Sequence, residues 1–431
     1  MTGFKGKLAK ARRQQKNGLL LIVIFLAAFL AGCADSNNLS IITYNSEFKS
    51  QGIVADFEKK YNVKVDLQII PTEQYQAKIL PLLKTGKGVP DVFVGEAAWV
   101  KQFLDGGYWE DLNKAPYNAK TKDSYPYVVQ MGTDKGGVLR ALSWQATPGG
   151  WFYRRSVARK YFGTDDPAKI GQYFSSWDAV MRTAAALKAK SKGKVKMFAG
   201  TGETIYRPFY SARKIPWIND KNEFSIDPQM IEYFKIIKAI RDNDYDAKIS
   251  DWSGPFFSAM NSKPDEATVF VYGWPTWGLF FVLSEQSDSK GDWAVTAPPS
   301  PFFWGGTWMG IYKNSKKKEL AWKFIQMLTQ DKAYMEAYAK KTGDFMSDKT
   351  VVDKIKSAMS SPVINGQNHY QYFADQVKYI DSSAISGDDY QINQMVGQLV
   401  NEYLNGKYDL AGLITTLGQR VKQAYPQVTI K

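Results

Sequence analysis

The sequence has very few of the side chains that metal binding and nucleophilic hydrolysis require. Its 431 residues include one histidine, His369, and one cysteine, Cys33. A zinc site made of cysteines and histidines needs several of them, and a Ser-His-Asp triad or a Cys-His dyad needs a histidine beside its nucleophile. These absences leave little room for metal capture or for nucleophilic hydrolysis. We expect a protein with no catalytic residue, no metal site and no cofactor, and one that is not an enzyme.

Acidic residues are absent from the first 32 residues, and this absence explains much of the net charge. The formal charge of the chain at pH 7 is +14. Six basic residues precede residue 17, so the rest of the chain carries +8, a mild excess. Five lysines alternate from Lys188 to Lys196 and fit a solvated surface better than a patch for a polyanion. We expect no nucleic-acid partner.

The long hydrophobic run at the amino end is too short to span a bilayer comfortably. It covers residues 18–32, whereas a bilayer core of about 30 Å needs about 20 residues of helix. With basic residues before it, the run predicts a signal peptide over residues 1–32. An uncleaved anchor is the alternative. Either way, we expect residues 34–431 to lie outside the cytoplasmic membrane.

The residues at the end of this run, Leu30-Ala31-Gly32-Cys33, resemble a bacterial lipobox. The resemblance implies that Cys33 is acylated and becomes the first residue after cleavage. The small and polar residues that follow predict a lipid-anchored tether over residues 33–38. We therefore expect the protein on the outer face of the cytoplasmic membrane, held there through its lipid.

Aromatic residues, in contrast, are abundant. The chain has 13 tryptophans, 25 tyrosines and 24 phenylalanines. Such rings either fill a core or form flat platforms for ligands. The open question is therefore which of these rings face solvent.

Strands alternate with helices in the first part of the chain. Apolar patterns predict strands at 39–44, 63–69 and 90–94, with helices at 52–61 and 72–83 between them. This alternation predicts a parallel, doubly wound sheet, which binds ligands beyond the carboxyl ends of its strands. Residues 45–47, 71–73 and 96–99 follow these strands and are the first candidates for a site.

A second set of elements begins after a Thr-Pro-Gly-Gly stretch at residues 147–150, where one lobe could pass to the next. The patterns that follow predict strands at 151–153, 195–199, 268–272, 293–297 and 309–312, and helices at 177–188, 228–242 and 317–329. The end of the chain, from residue 348, is predicted to be mostly helical. The overall class is therefore α/β.

The order of several short segments resembles the extracellular solute-binding proteins of bacterial ABC importers, family 1, which are mostly specific for carbohydrates. The segments are DFEKKY at 56–61, GVPDVF at 88–93, LSW at 142–144, WFYR at 151–154, VFVYGWPTW at 269–277, GGTWMGI at 305–311, SK at 315–316 and AWKF at 321–324. Each segment is weak alone, but the order and spacing behind a lipobox are specific together.

This resemblance implies a two-lobe fold of the periplasmic-binding-protein type, with discontinuous lobes joined by a hinge. The first lobe would hold residues 39–147 and 293–341, and the second residues 148–292 and 342–431. A carbohydrate, expected to be an oligosaccharide, would lie in the cleft. Closure of the lobes would then present this monomeric protein to the ABC importer permease subunits.

A sugar ring has an apolar face and a rim of hydroxyls, so aromatic rings and planar polar groups are its natural receptors. Trp274 and Trp277 end a predicted strand, and Trp277 matches the binding tryptophan of the family better. Trp304 and Trp308 flank two glycines that allow close approach of a ligand. Trp99 follows the third strand. Core packing is the alternative for each of these five rings.

Polar candidates complete the predicted site. Tyr206 and Arg207, together with Trp252, lie in loop-rich parts of the second lobe, where an arginine can make paired hydrogen bonds to hydroxyls. Three acids could accept hydrogen bonds from hydroxyls, namely Glu47, Glu96 and Asp344. For Arg207 the alternative is a surface ion pair, and for the acids it is a solvated surface.

Other functions remain open from the sequence. A secreted glycosidase would need two carboxylates about 5–10 Å apart, and 42 acidic residues leave room for such a pair. The same fold could bind a polyamine or a peptide, for which several carboxylates boxed by aromatic rings would be required. A surface adhesin without a permease is a third alternative.

Overall fold

The computed structural model describes residues 38–431. The predicted signal peptide and Cys33 lie outside these residues, as does nearly all of the tether. Within residues 38–431, no helix is both long and apolar enough to cross a membrane.

Ten strands form two four-stranded sheets and one small pair. The strands are β1 (Asn38–Thr43), β2 (Lys64–Ile69), β3 (Val92–Glu96), β4 (Gly149–Arg154), β5 (Lys196–Phe198), β6 (Glu223–Phe224), β7 (Val269–Pro275), β8 (Trp293–Thr296), β9 (Thr307–Ile311) and β10 (Thr429–Ile430). The first sheet has the order β2-β1-β3-β9 and the second β5-β7-β4-β8, while β6 pairs with β10.

Eighteen α-helices of residues 38–431 surround these sheets. In the first half they are α1 (Glu47–Ser50), α2 (Ile53–Tyr61), α3 (Thr72–Thr85), α4 (Val100–Asp105), α5 (Pro126–Met131), α6 (Arg155–Phe162), α7 (Pro167–Gln172), α8 (Trp177–Ser191) and α9 (Glu203–Ala212). In the second half they are α10 (Pro228–Asp242), α11 (Gly254–Met260), α12 (Thr276–Phe281), α13 (Lys318–Thr329), α14 (Lys332–Thr342), α15 (Lys349–Ile355), α16 (His369–Gln376), α17 (Asp389–Leu404) and α18 (Leu410–Ala424). Short 3-10 helices add Pro264–Glu266, Leu283–Glu285, Lys356–Ala358, Pro362–Ile364 and Val377–Tyr379.

Several helices begin where the sequence places a short polar side chain. Ser176, Asp227, Asp331 and Asp409 each accept a hydrogen bond from a backbone N–H in the first turn of the helix that follows. The first N–H groups of a helix have no partner within the helix, so these side chains satisfy them and mark the start.

The first sheet confirms the parallel arrangement predicted for its first three strands. β1 pairs in parallel with both β2 and β3. The fourth strand departs from the prediction because β9 runs antiparallel to β3, with Trp308 opposite Gly95. The second sheet is also mixed, since β4 is antiparallel to β7 and β8 whereas β5 is parallel to β7. The two-lobe α/β fold is confirmed, and the wholly parallel sheet is wrong.

The predicted lobe boundaries need two corrections. β8 was assigned to the first lobe by the division at residue 293, but it pairs with β4 in the second sheet. The division at residue 342 also comes too early, because Met346 bridges to Gln145 and Asp348 bridges to Ser124 on the first-lobe side. Both errors arise because strand pairing over more than a hundred residues is not visible in a local pattern.

Two crossings between the lobes run side by side. The Gly149 N–H donates to the Phe302 carbonyl at 2.7 Å, and the Trp304 N–H donates to the Thr147 carbonyl at 3.2 Å. The Thr147 hydroxyl also donates to the Gly305 carbonyl at 3.0 Å. Residues 147–149 and 302–306 therefore form a short hydrogen-bonded ribbon, which we call the crossing ribbon.

Candidate functional site

A cavity of about 590 Å³ opens where the second lobe faces the first. Residues 200–203, Tyr206, Arg207 and Tyr210 line one part of the cavity, and α17 lines another. Residues 248–251 line a further side. The first lobe contributes Ala97 and Ala98, directly after β3, and the crossing ribbon contributes Phe303 and Trp304. Both lobes and the connection between them therefore meet at this cavity.

The wall formed by α17 is lined by planar amides. Asn393, Gln394, Gln398 and Asn401 line the cavity together with Tyr390. The opposite face of the helix is apolar and buried, with Ile392, Leu399 and Tyr403 among its core residues. Residues three or four apart share one face of a helix, so the apolar stripe turns the amides toward the cavity. Each amide carries both donors and an acceptor. Within residues 38–431, Asn393 Oδ1 accepts from the Trp217 indole N–H and Gln398 Oε1 accepts from Arg420, whereas the side-chain amides of Gln394 and Asn401 are free for ligand hydroxyls.

Sequence reasoning missed this wall. Tyr390, Gln394 and Gln398 recur every fourth residue, and Asn393, Gly397 and Asn401 repeat the spacing one residue out of phase. This recurrence on a helical period indicates one polar face of a helix. Such a face is usually exposed to solvent, so the pattern alone does not identify a binding wall when the position of the helix in the fold is unknown.

The first turn of α9 carries three polar side chains into the cavity, namely Glu203, Tyr206 and Arg207. The Glu203 N–H donates to Asp251 Oδ2 at 2.7 Å, which joins α9 to the segment 248–251. A Cβ at Gly202 would lie 2.1 Å from the same oxygen, so only glycine allows this approach. Asp251 is a cavity residue that sequence reasoning did not single out.

Arg207 is held among charged and aromatic groups. Its Nε donates to Glu203 Oε2 at 2.5 Å. The guanidinium carbon lies 4.7 Å from the centre of the Trp304 ring and 5.7 Å from that of Tyr206. Cation–π contacts of this kind fix the orientation of the planar group. Arg207 therefore presents a constrained donor to the cavity.

Burial shifts the acids near Arg207 toward their neutral forms. It raises the pKa of Glu96 to about 7, although hydrogen bonds to the carboxylate and the charge of Arg207 act in the opposite direction. Burial likewise raises the pKa of Asp251 to about 6. Near neutral pH these carboxyls are therefore able to change protonation state when a ligand arrives.

The hydroxyl of Tyr206 has no hydrogen-bond partner and is shielded from solvent. Burial raises the pKa of this tyrosine above its ordinary value, so the hydroxyl stays neutral. A buried hydroxyl without a partner costs free energy, on the order of 1–3 kcal/mol. A ligand hydroxyl in the cavity would remove this cost.

Four indole rings pack together beside the cavity and form what we call the tryptophan cluster: Trp252, Trp274, Trp277 and Trp304. The rings of Trp274 and Trp304 are stacked, with centres 5.7 Å apart and planes 8° apart. The Trp277 indole N–H donates to the Trp304 carbonyl at 2.9 Å, and its ring stacks on Trp252 at 6.3 Å. Trp304 is the member that lines the cavity.

Trp252 is the exposed member of this cluster. It is 48% exposed, and its φ angle is +64°. A bulky residue with a positive φ is uncommon and costs free energy, which is typical of residues held in place by their surroundings. The ring contacts Trp274, Trp277 and Trp304. It continues an aromatic surface outward from the cavity.

The structure therefore brings together part of the predicted site. Tyr206, Arg207 and Trp304 line the cavity, and Trp252 and Trp277 adjoin it through the tryptophan cluster. Glu96 immediately precedes the first-lobe residues of the lining and accepts a hydrogen bond from the Ala98 N–H at 2.8 Å.

Three predicted tryptophans are placed in the core instead. Trp308 is fully buried and its indole N–H donates to the Val128 carbonyl at 2.9 Å. Trp274 is 2% exposed beneath the tryptophan cluster. Trp99 is 5% exposed and packs among tyrosines, including Tyr390 of the cavity wall. None of the three offers a free ring face, so the ligand contacts expected of them are corrected to packing roles.

Glu47 and Asp344 lie beneath the surface of the first lobe and do not line the cavity. Each is 2% exposed. Their oxygens already accept hydrogen bonds from Asn45, Gln145 and Tyr338 on one side and from Trp144 and Gln145 on the other. Because both side chains are buried and already hydrogen-bonded within the first lobe, the structure places them outside the cavity.

Within residues 38–431, no three histidine, cysteine, aspartate or glutamate side chains are grouped in a way that could hold a metal ion. The site combines aromatic faces, amides and a constrained arginine between two α/β lobes. This arrangement is that of a two-lobe binding protein.

The family follows from the match to known sequences. Residues 52–362 match the family described as bacterial extracellular solute-binding protein, which is most of the chain. The chain belongs to this family, whose members are binding proteins that lie outside the cell membrane.

Solved structures share the fold over nearly its whole length. An extracellular solute-binding protein of family 1 has a TM-score of 0.79 at 18% identity, covering 90% of this chain and 99% of that one. An ABC transporter associated binding protein from B. animalis subsp. lactis Bl-04, in complex with beta-1,6-galactobiose, has a TM-score of 0.73 at 19% identity, covering 92% and 100%. The sugar-binding protein MalE from Xanthomonas citri has a TM-score of 0.71 at 19% identity, covering 90% and 96%.

Proposed function

We propose that this chain is the extracytoplasmic substrate-binding lipoprotein of an ABC importer and that its ligand is a carbohydrate. The observation that carries the proposal is one cavity that is lined both by the indole of Trp304 and by the amides of α17. An indole face stacks on the apolar face of a sugar, and amides exchange hydrogen bonds with its hydroxyls. Two of the solved structures above are named for sugar binding, which supports the same class of ligand.

An oligosaccharide fits this site better than a single sugar. Of the tryptophan cluster, Trp304 alone lines the cavity of about 590 Å³. Trp252 and Trp277 continue that surface beyond Trp304. We infer that one sugar unit occupies the cavity and that the next unit stacks on the outer rings. Closure of the lobes around both units would then present the monomer to the permease.

A ligand screen tests this function. Purified residues 34–431 are heated with oligosaccharides, monosaccharides, polyamines and short peptides, and the melting temperature is recorded. We expect stabilisation by a subset of oligosaccharides, because a ligand that binds only the folded state raises its stability. Stabilisation by polyamines or peptides alone would contradict the carbohydrate assignment, and release of cleaved glycan would make the protein a glycosidase.

An amine-bearing solute is a second candidate, and one observation favours it. The carboxylates of Glu96, Glu203 and Asp251 each interact electrostatically with Arg207. The Trp304 ring packs against the guanidinium that these acids share. Carboxylates boxed by aromatic rings suit a cationic ligand. The polyamine arm of the screen separates this candidate from a neutral sugar.

The lipid anchor is part of the proposal. Acylation of Cys33 would leave the tether and both lobes on the outer face of the cytoplasmic membrane. Growth with a labelled fatty acid should label the wild-type protein and leave Cys33→Ser unlabelled. A labelled Cys33→Ser protein would refute the lipobox.

A further inference from the structure

The first lobe contains a buried pair of acids that the proposed function does not use. Gln145 Nε2 donates to Glu47 Oε2 at 3.2 Å and to Asp344 Oδ2 at 2.8 Å. The two carboxylate oxygens therefore lie within about 6 Å of each other, the sum of these two distances. Both side chains are almost fully buried.

No positive charge balances this pair. Within residues 38–431, no lysine or arginine makes an ion pair with Glu47 or Asp344. The remaining hydrogen bonds to the carboxylates come from the neutral groups Asn45, Tyr338 and Trp144 and from the Phe345 N–H. Two buried carboxylates at this separation repel each other strongly when both are ionised.

The titratable groups packed around the pair do not supply the missing charge. Tyr338 donates its hydroxyl to Glu47, and Tyr370 donates its hydroxyl to the Asp344 backbone carbonyl. Tyr44 also interacts with the Glu47 charge, and burial raises the pKa of all three tyrosines, so they stay neutral. Burial lowers the pKa of His369 to about 4, so it is also neutral. Lys341 on α14 donates to the Gln51 carbonyl instead.

Gln145 links this pair to the start of the crossing ribbon. Residue 145 lies two positions before Thr147, and it forms a bridge with Met346. The Ala146 N–H donates to the Phe345 carbonyl at 2.9 Å. The acids therefore lie where the chain leaves the first lobe. Repulsion between them would act on the segment that anchors the hinge.

We propose that Glu47 and Asp344 share one proton at neutral pH and that losing this proton weakens the first lobe at the base of the hinge. The acids thus act as a pH-sensitive element that is separate from the ligand cavity. This proposal does not depend on the identity of the ligand, since its test uses the protein without ligand.

The direction of the effect follows from proton linkage. Burial, and then the charge of Asp344, raises the pKa of Glu47 from 4.5 to about 8. Burial also raises the pKa of Asp344. The folded protein therefore binds more protons than the unfolded chain between these values. Its stability is greatest at the acidic end of this window and falls as the pH rises toward about 8.

Thermal unfolding of the full-length chain, purified in detergent, tests the proposal. The melting temperature of the wild type should fall by on the order of 2 °C or more between about pH 5 and about pH 8. Glu47→Gln mimics the protonated acid, so its melting temperature should change less with pH and should exceed that of the wild type at about pH 8. Asp344→Asn should also reduce the slope, because it removes the repelling charge.

A matched control separates this pair from surface acids. Glu319 is an exposed acid that pairs with Lys323, and Glu319→Gln should keep the wild-type slope. Parallel curves for the wild type, Glu47→Gln and Asp344→Asn would overturn the proposal. If either variant fails to fold, infrared spectroscopy of the Glu96→Gln protein decides, because this change removes the other buried acid whose pKa is near 7. The band of a protonated carboxyl should be present at about pH 7 and weaken by about pH 9, and its absence at neutral pH would equally overturn the proposal.

Discussion

The two lobes contribute unequally to the cavity. The second lobe supplies two arginines, four tyrosines and a helix face of amides, whereas the first supplies Ala97 and Ala98. The strongly interacting polar groups of the first lobe, Glu47 and Asp344, face one another inside it. The difference suggests a division of labour, in which the second lobe and the crossing ribbon recognise the ligand and the first lobe covers it.

The largest expected effect comes from the ring shared by the cavity and the tryptophan cluster. Trp304→Ala should weaken ligand binding by about 2 kcal/mol, or about 30-fold, because a stacked ring is lost. The hydrogen bond from Trp277 goes to the backbone of residue 304 and is retained. Titration calorimetry measures the affinity.

The control for this variant is a tryptophan four residues away. Trp308→Phe removes a buried hydrogen bond to the Val128 carbonyl, so it should lower the melting temperature and leave the affinity unchanged. Unequal roles of the two lobes would be refuted if Trp308→Phe weakened binding as much as Trp304→Ala.

A smaller effect is expected from the amide wall. Gln394 lines the cavity, and Gln394→Ala should weaken binding by about 1 kcal/mol through the loss of a hydrogen bond to the ligand. Gln391 lies on the same helix but accepts a hydrogen bond from Tyr425 away from the cavity. Gln391→Ala should leave the affinity unchanged, and equal losses in both variants would indicate a general disturbance of α17.

The pH dependence of binding tests the acid at the boundary of the lobes. Burial raises the pKa of Glu96 to about 7, so the fraction of carboxylate increases as the pH rises through this value. If a ligand hydroxyl donates to this carboxylate and only the ionised form binds, affinity should increase up to about tenfold from about pH 6 to about pH 8. Glu96→Gln should show no such increase in calorimetric titrations. The same slope in the variant would assign the effect to another group, such as Asp251.

The smallest effect is expected on the first-lobe side of the cavity. Ala98→Ser adds one small hydroxyl to a surface that is proposed to cover the ligand, so the affinity should change by less than about 0.5 kcal/mol. A loss as large as that of Gln394→Ala would show that the first lobe also recognises the ligand in detail.

Local patterns in the sequence predicted the elements well and the pairing of distant strands poorly. The strands and helices up to β3 follow from apolar periodicity, which depends on neighbouring residues only. β8 and β9 are separated by ten residues but belong to different sheets. Their partners, β4 and β3, lie more than a hundred residues earlier in the chain, and no local pattern identifies them.

The same limit explains which site residues were found. Trp304 and Trp308 are equally aromatic in sequence, but the pairing of β9 with β3 buries Trp308 whereas Trp304 stays on the crossing ribbon. Arg207 was recognised because an arginine next to an aromatic residue is conspicuous. The amides of α17 were missed because polar residues on a helix usually face solvent. Glu47 and Asp344 were misplaced because their hydrogen-bonding partner, Gln145, is distant in sequence from both.

The hydrogen bonds within the crossing ribbon also limit how the molecule can move. A single connecting segment between two lobes allows rotation about several axes. Two segments hydrogen-bonded side by side act as a hinge that favours rotation about one axis. Trp304 lies in the crossing ribbon, close to this hinge axis. Its indole therefore moves little during closure, whereas the parts of the lobes farthest from the ribbon move most. A ligand stacked on this indole would therefore contact the same ring in the open and in the closed form of the protein.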